Sequence, residues 1–209
     1  KKFFISEKYL LKKRLKKAIK KNHEGELSLL EKIVNQNEES VDVGVYRGVY
    51  TYKLALICKH VHSFEPNPLI LPYLKKNLIK VVDNMTLYDL ALSNENEIVD
   101  LKIPKRFNTI NKNDYEQLYK LGYSTIHKKN NLTKENYITK KVKTMKLDNI
   151  LFKKNIGFIK IDVEGHEKNV IQGAINIIKN KKPNMLVEIE EQHSNEKVED
   201  TINFINKLG

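Results

Sequence analysis

Hydrophobic and polar positions change their period along this chain. In SEKYLLKKRLKKAIKK the apolar residues Leu10, Leu11, Leu15, Ala18 and Ile19 recur at helical spacing with lysines opposite them, which predicts an amphipathic helix. Ser6 stands where it would cap that helix. A second helix is predicted from Gly25 to Val34 through Leu27, Leu29, Leu30 and Ile33. From residue 41 onward, short apolar runs alternate with helical patterns. Strands are predicted at 41–45, 60–65, 86–92, 158–163 and 184–190, and helices at 48–58, Asn67–Ile79, His166–Asn180 and 195–208. Pro68 and Pro72 fall near the start of the Asn67–Ile79 helix, where proline is tolerated. This alternation predicts βαβ units, hence an α/β fold with a mostly parallel, doubly wound sheet and helices on both faces.

Residues 93–157 break the rhythm. EIVDLKIP and ITKKVKTMKL read as short strands, with the polar stretches NTINKNDYEQ and GYSTIHKKNNLTKEN between them. An insertion after the third strand suits substrate-specific elements, because loops on a rigid sheet carry selectivity. The organisation expected is an N-terminal helical extension over 1–39 and a main domain over 40–209. A doubly wound domain would usually add another strand after Gly209, so either the sheet is short at that edge or further residues follow, and the start without Met leaves room for residues upstream. The N-terminal helices are suited to a lid or a homodimer interface.

The length of 209 residues suits one domain with a small appendage. The single cysteine, Cys58, excludes an internal disulfide and a four-thiolate zinc site. No apolar run approaches the roughly 18 residues of a membrane span, and lysines interrupt every apolar stretch near the start, so a cytoplasmic setting is expected. The net charge of +12 invites a nucleic-acid partner. The basic residues are 35 Lys and only three Arg (Arg14, Arg47, Arg106), beside 23 Asn. Base readout and bidentate phosphate binding favour Arg, so a nucleic-acid partner is not expected.

The candidate chemistry begins in VDVGVYRGVYT, where Gly44 and Gly48 follow the first strand. Ligands of open parallel sheets bind beyond the carboxyl ends of the strands, near the switch in strand order. The spacing is G-x-x-x-G, which disfavours a dinucleotide pyrophosphate clamp. SFEPNP ends the second strand with Glu65, followed by Pro66 and Asn67. An acid there can accept from both ribose hydroxyls and would repel a 2′-phosphate. Asp42, inside an apolar strand, needs a donor or a cation. Together these suit S-adenosylmethionine, which carries an ammonium and a sulfonium, better than NAD.

In FIKIDVEGHE, Lys160, Asp162 and Glu164 alternate along the strand and its exit, and His166 and Glu167 open the next helix. LVEIEEQH adds Glu188, Glu190 and His193. Ionised groups in a central strand are costly unless paired or functional. Glu164 or His166 is the expected general base, with Lys160 and Glu188 orienting an acceptor and Asp162 touching cofactor or acceptor. Asp162, Glu164, Glu188 and His193 are compatible with a divalent metal, but no tight ligand motif is present and no metal is predicted. Tyr123, Ser124, Thr125 and His127 in the insertion are placed to meet the acceptor.

The segments VDVGVYRGVYT, HSFEPNP, LYDLALSN, VKTMKLDNIL, FIKIDVEGHEKNVIQGA and PNMLVEIE, in this order over about residues 40–195, resemble the FkbM family of S-adenosylmethionine-dependent methyltransferases. The resemblance implies a Rossmann-like class I methyltransferase fold. It implies that Asp42, Gly44, Gly48 and Thr51 line the methionine end of the cofactor, Glu65 holds the ribose, and Asp89, Ala91, Leu92 and Ser93 frame the adenine. Tyr50 also matches, whereas Tyr46 stands where the family usually carries Asn. The activity implied is O-methylation of a small-molecule hydroxyl, on a sugar or sugar-containing metabolite such as a nucleotide-linked surface-glycan precursor. The alternatives are an RNA 2′-O-methyltransferase and a non-catalytic cofactor- or partner-binding module.

Overall fold

A computed structural model of the chain describes residues 6–20, 25–104, 122–127, 137–190 and 197–208. The order is α1 (Glu7–Lys20), α2 (Glu26–Ile33), β1 (Glu39–Val43), α3 (Val49–Ala55), β2 (His60–Phe64), α4 (Leu71–Lys76), β3 (Met85–Tyr88), β4 (Ala91–Leu92), β5 (Ile98–Pro104) and β6 (Tyr137–Met145). Then come β7 (Ile156–Ile161), α5 (Glu167–Gln172), α6 (Ile175–Lys181), β8 (Asn184–Val187) and α7 (Val198–Asn206). Five strands form one sheet in the order β3-β2-β1-β7-β8, and every pairing in it is parallel. The chain leaves β1 toward β2 on one side and returns to β7 on the other, so the switch point lies between β1 and β7.

Alternation along the strands sorts side chains to two faces. Val41, Val43, Phe64, Ile159 and Ile161 pack with Val170, Ile171 and Ile178 of α5 and α6, and with Phe204 and Ile205 of α7. On the opposite face Val61 and Phe158 pack against Leu27 and Leu30 of α2 and Leu54 of α3. Leu11 and Leu15 of α1 join Tyr52, Leu74 and the hairpin residues Leu101, Ile103 and Val142. The N-terminal helices thus bury Leu11, Leu15, Leu27 and Leu30 on the body of the fold, whereas Leu10 and Leu29 of the predicted apolar stripes stay exposed.

Three predicted elements divide. The 86–92 strand turns at Asp89–Leu90. β3 stays on the main sheet, whereas Ala91–Leu92 pairs with β6 in a second sheet of order β4-β6-β5. In that sheet the two insertion strands form an antiparallel pair. The Asn67–Ile79 helix shortens to α4 and a 3-10 turn at Leu78–Lys80. Asn67 holds the preceding turn, accepting from Leu69 N through its side chain at 2.9 Å and from Ile70 N and Leu71 N through its carbonyl. The His166–Asn180 helix breaks at Gly173, where a Cβ would stand 2.0 Å from the Ser93 carbonyl oxygen. Among the described residues no helix is long and apolar enough to cross a membrane.

Candidate functional site

The carboxyl ends of the strands are level. Val43 pairs with Phe64 and Ile161, Phe64 with Tyr88, and Ile161 with Val187. The residues that follow, Gly44, Glu65, Asp162 and Glu188, are therefore set side by side along one edge. Their amides continue the ladder, from Gly44 N to Phe64 O, Asp162 N to Val43 O and Glu188 N to Ile161 O. A cavity of about 530 Å³ opens over that edge, within the usual size range of small-molecule sites.

Its first wall is the β1–α3 turn. Gly44 (φ 84), Tyr46 (φ 51) and Gly48 (φ 79) all adopt left-handed backbone. Glycine does so freely and asparagine with little strain, but tyrosine seldom does. Tyr46 is held there by its amide, which donates to Glu65 Oε2 at 2.9 Å. The amide of Asn67 donates to Glu65 Oε1 at 2.8 Å. Burial nonetheless pushes the Glu65 carboxyl up to about 7, against these two amides.

Beneath the floor lies a buried charge cluster. The Lys160 ammonium donates to Asp162 Oδ2 and to the Gly44 carbonyl, each at 3.0 Å. It lies 3.7 Å from Asp42 Oδ1 and 4.9 Å from the Tyr50 ring centroid. Burial alone would lower its pKa, but Asp162 and Asp42 together hold it above the ordinary lysine value. Burial raises the Asp42 carboxyl despite Lys160 and Thr51. Thr51 Oγ1 donates to Asp42 Oδ2 at 2.5 Å, and the Tyr50 hydroxyl donates to Glu26 Oε2 at 2.6 Å.

The second wall follows β7. Glu164 is left-handed (φ 55), a strained state for a non-glycine residue. Glu167 Oε1 accepts from Val163 N at 3.2 Å and Gly165 N at 3.0 Å, which fixes this turn. Burial, followed by the carboxylates of Asp162, Glu190 and Glu188, pushes Glu164 up to about 8. Burial and Asp162 push Glu188 up to about 7, partly offset by Lys160. Burial, with a smaller contribution from His127, pushes His166 down to about 4, so its imidazole is neutral at pH 7. His166 Nε2 lies 3.0 Å from Ser93 Oγ. Residues 122–127 close the far side. Asn67 Nδ2 donates to Ser124 Oγ at 2.9 Å, and Thr125 Oγ1 donates to the Glu164 carbonyl at 2.8 Å.

The model of the methyltransferase FkbM domain matches residues 42–209. The chain belongs to this family. Among solved structures, it is similar to a methyltransferase FkbM from Methylobacillus flagellatus KT, with a TM-score of 0.56 and 18% identity over 83% of this chain. The chain spans 38% of that protein's length. A precorrin-6y C5,15-methyltransferase from Geobacter metallireducens GS-15 aligns with a TM-score of 0.42 and 12% identity, over 100% of this chain and 75% of that one. No curated protein matches significantly.

In this FkbM-domain chain the cavity collects Gly44, Tyr46, Glu65, Pro66, Ala91, Leu92, Tyr123, Ser124, Asp162, Glu164, His166 and Glu188. Asp42, Thr51, Tyr50 and Lys160 form the layer beneath rather than the lining. Lys160 is therefore not placed to orient an acceptor directly. Gly48 faces Leu78, where a Cβ would come within 2.6 Å of the leucine side chain. Asn67, Ser93 and Thr125 hold lining residues in place, and the His127 ring lies 6.2 Å from that of His166. Asp89 is not brought to the cavity. The turn after β3 faces it outward, where it pairs with exposed Lys75 at 3.1 Å. His193 lies outside the described residues. Among the described residues no three His, Cys, Asp or Glu are grouped to hold a metal ion. Glu190, named with Glu188 in the sequence but given no role there, also lines the cavity, and Arg47, Leu101 and Ile126 join it unforeseen. Arg47 carried a signal, as one of three arginines and beside the glycine turn. Leu101 and Ile126 carried none, because pairing within the insertion brings them in.

Proposed function

We propose that this methyltransferase uses S-adenosylmethionine to methylate a hydroxyl of a sugar or sugar-containing metabolite, such as a nucleotide-linked precursor of a surface glycan. The observation that carries the cofactor reading is Glu65. It lies at the end of β2 beside the switch point, lines the cavity, and is anchored through one amide on each oxygen. Each carboxylate oxygen has a second lone pair, so Glu65 can still accept from a ribose diol. The lining suits the rest of the cofactor, since the carboxylates of Asp162 and Glu188 would accept from or pair with its cationic end.

S-adenosylmethionine, when bound, supplies an electrophilic methyl group on a sulfonium. The chain's own residues must align the acceptor and take its proton. Glu164 is our choice of base. It lines the cavity on a strained turn, and its raised pKa makes its carboxylate a stronger base near working pH. Neutral His166, set against Ser93, lines the same cavity. Tyr123 and Ser124 offer the aromatic face and hydroxyl that a sugar would use.

Isothermal titration with S-adenosylmethionine, S-adenosylhomocysteine and NAD tests the cofactor. Micromolar binding of the first two, lost on Glu65→Ala and absent for NAD, is expected. No binding of either sulfur compound overturns the reading. Methyl transfer to a panel of nucleotide-sugars, with and without EDTA, then tests the acceptor class and any metal requirement.

A further inference from the structure

The outer face of α1 lies outside the methyl-transfer site. Leu11 and Leu15 hold the inner face to the body of the fold. At about 100° per residue, Leu10, Lys13, Lys17 and Lys20 point the other way, flanked by Tyr9 and Lys16. All six are exposed, Tyr9 at 58% and Leu10 at 39%. The helix carries seven basic residues and one acid, Glu7, a net six of the chain's +12. No further acid follows until Glu24. An exposed helix usually mixes signs, because opposite charges three or four residues apart stabilise it and like charges destabilise it. Here Lys13 stands four residues from Lys17, and Lys16 four from Lys20. An anionic partner relieves that repulsion.

We propose that the outer face of α1 docks the protein on an anionic lipid surface. The face holds both kinds of group that such a surface takes. The lysines lie along the helix where they meet headgroup phosphates, and Leu10 and Tyr9 at one end enter the boundary between headgroups and acyl chains. A nucleic acid would use the lysines and leave Leu10 in water. Because Leu11 and Leu15 stay on the body, this docking is peripheral and sensitive to salt. Those two leucines share their cluster with Leu101, Tyr46 and Ile126, which line the cavity, so α1 backs the insertion side of the site. The proposal does not rest on the cofactor reading.

Cosedimentation of the full chain with vesicles tests it, using phosphatidylcholine alone and equal parts of phosphatidylcholine and phosphatidylserine. Binding to the mixed vesicles is expected, at least about tenfold tighter than to the neutral ones and weakened by added salt. The double variant Lys13→Glu/Lys17→Glu should lose at least about tenfold on mixed vesicles. Lys179→Glu/Lys181→Glu makes the same change in net charge on α6, which packs in the other core cluster, and should stay within about twofold. Leu10→Ser should weaken vesicle binding about threefold and leave binding of an RNA oligonucleotide unchanged. No preference for phosphatidylserine overturns the proposal, as does an equal loss in the two double variants. An RNA oligonucleotide held more tightly than the mixed vesicles, with the same dependence on Lys13 and Lys17, also overturns it and gives the face to nucleic acid.

Discussion

Gly44 and Asp162 touch across the switch point. A Cβ on Gly44 would stand 2.0 Å from the Asp162 carbonyl oxygen, and Gly44 sits at φ 84. The first and fourth strands of the central βαβ series therefore come together only because this position has no side chain. Gly44→Ala faces both the left-handed backbone and a backbone clash, so it should lose more than about 2 kcal/mol of stability. Urea denaturation measures this. A loss below about 0.5 kcal/mol, the level of an ordinary surface change, would contradict the packing described.

Lys160 is 3% exposed and faces two carboxylates. Lys160→Met would leave Asp42 and Asp162 without their cation, at a cost of about 3–5 kcal/mol. Adding Asp42→Asn should recover part of it, because the deeper unpaired charge is then gone. Thermal melts of the two variants decide; a double variant no more stable than the single one speaks against the pairing.

Glu65, Glu164 and Glu188 hold their protons more tightly folded than unfolded. Between the ordinary 4.5 and about 8, the folded chain thus binds more protons than the unfolded one. Their contribution is present below that window and is lost as pH rises through it. His166 acts oppositely, its share being lost as pH falls from 6.5 toward about 4. Chemical denaturation of the ligand-free chain from pH 6 to 9 should show falling stability, with a shallower slope in Glu164→Gln. An identical slope in that variant removes Glu164 from the account.

Cofactor binding should release protons. A cation beside these raised carboxyls favours their ionised forms, so S-adenosylmethionine should bind more tightly as pH rises from 6 to 8, and S-adenosylhomocysteine, without the sulfonium, less so. Titration in buffers of different ionisation enthalpy counts the protons. Zero release for both compounds would oppose the charge complementarity proposed here.

If Glu164 accepts the hydroxyl proton, kcat/KM should rise with pH on a limb that reports its ionisation, and Glu164→Gln should lose about 10²–10⁴-fold with that limb abolished. A limb that survives in Glu164→Gln and vanishes in His166→Gln would transfer the role to His166.

The parallel architecture was legible because buried strands and amphipathic helices leave different periods in the chain, and two glycines and an acid fell at strand ends where open sheets bind ligands. Periodicity does not record where an element must break. The cut at Asp89–Leu90 follows from β4 pairing with β6, and the cut at Gly173 follows from contact with Ser93. Both partners lie far away in sequence. The chemistry divided in the same way. Residue types and spacing alone drew attention to Asp42, Glu65, Lys160, Asp162 and Glu164. Strand register and burial decided that Lys160 and Asp42 lie beneath the cavity, that Asp89 faces solvent, and that Arg47 joins the lining. A side chain's neighbours across strands, and the water removed around it, exist only once the sheet has assembled.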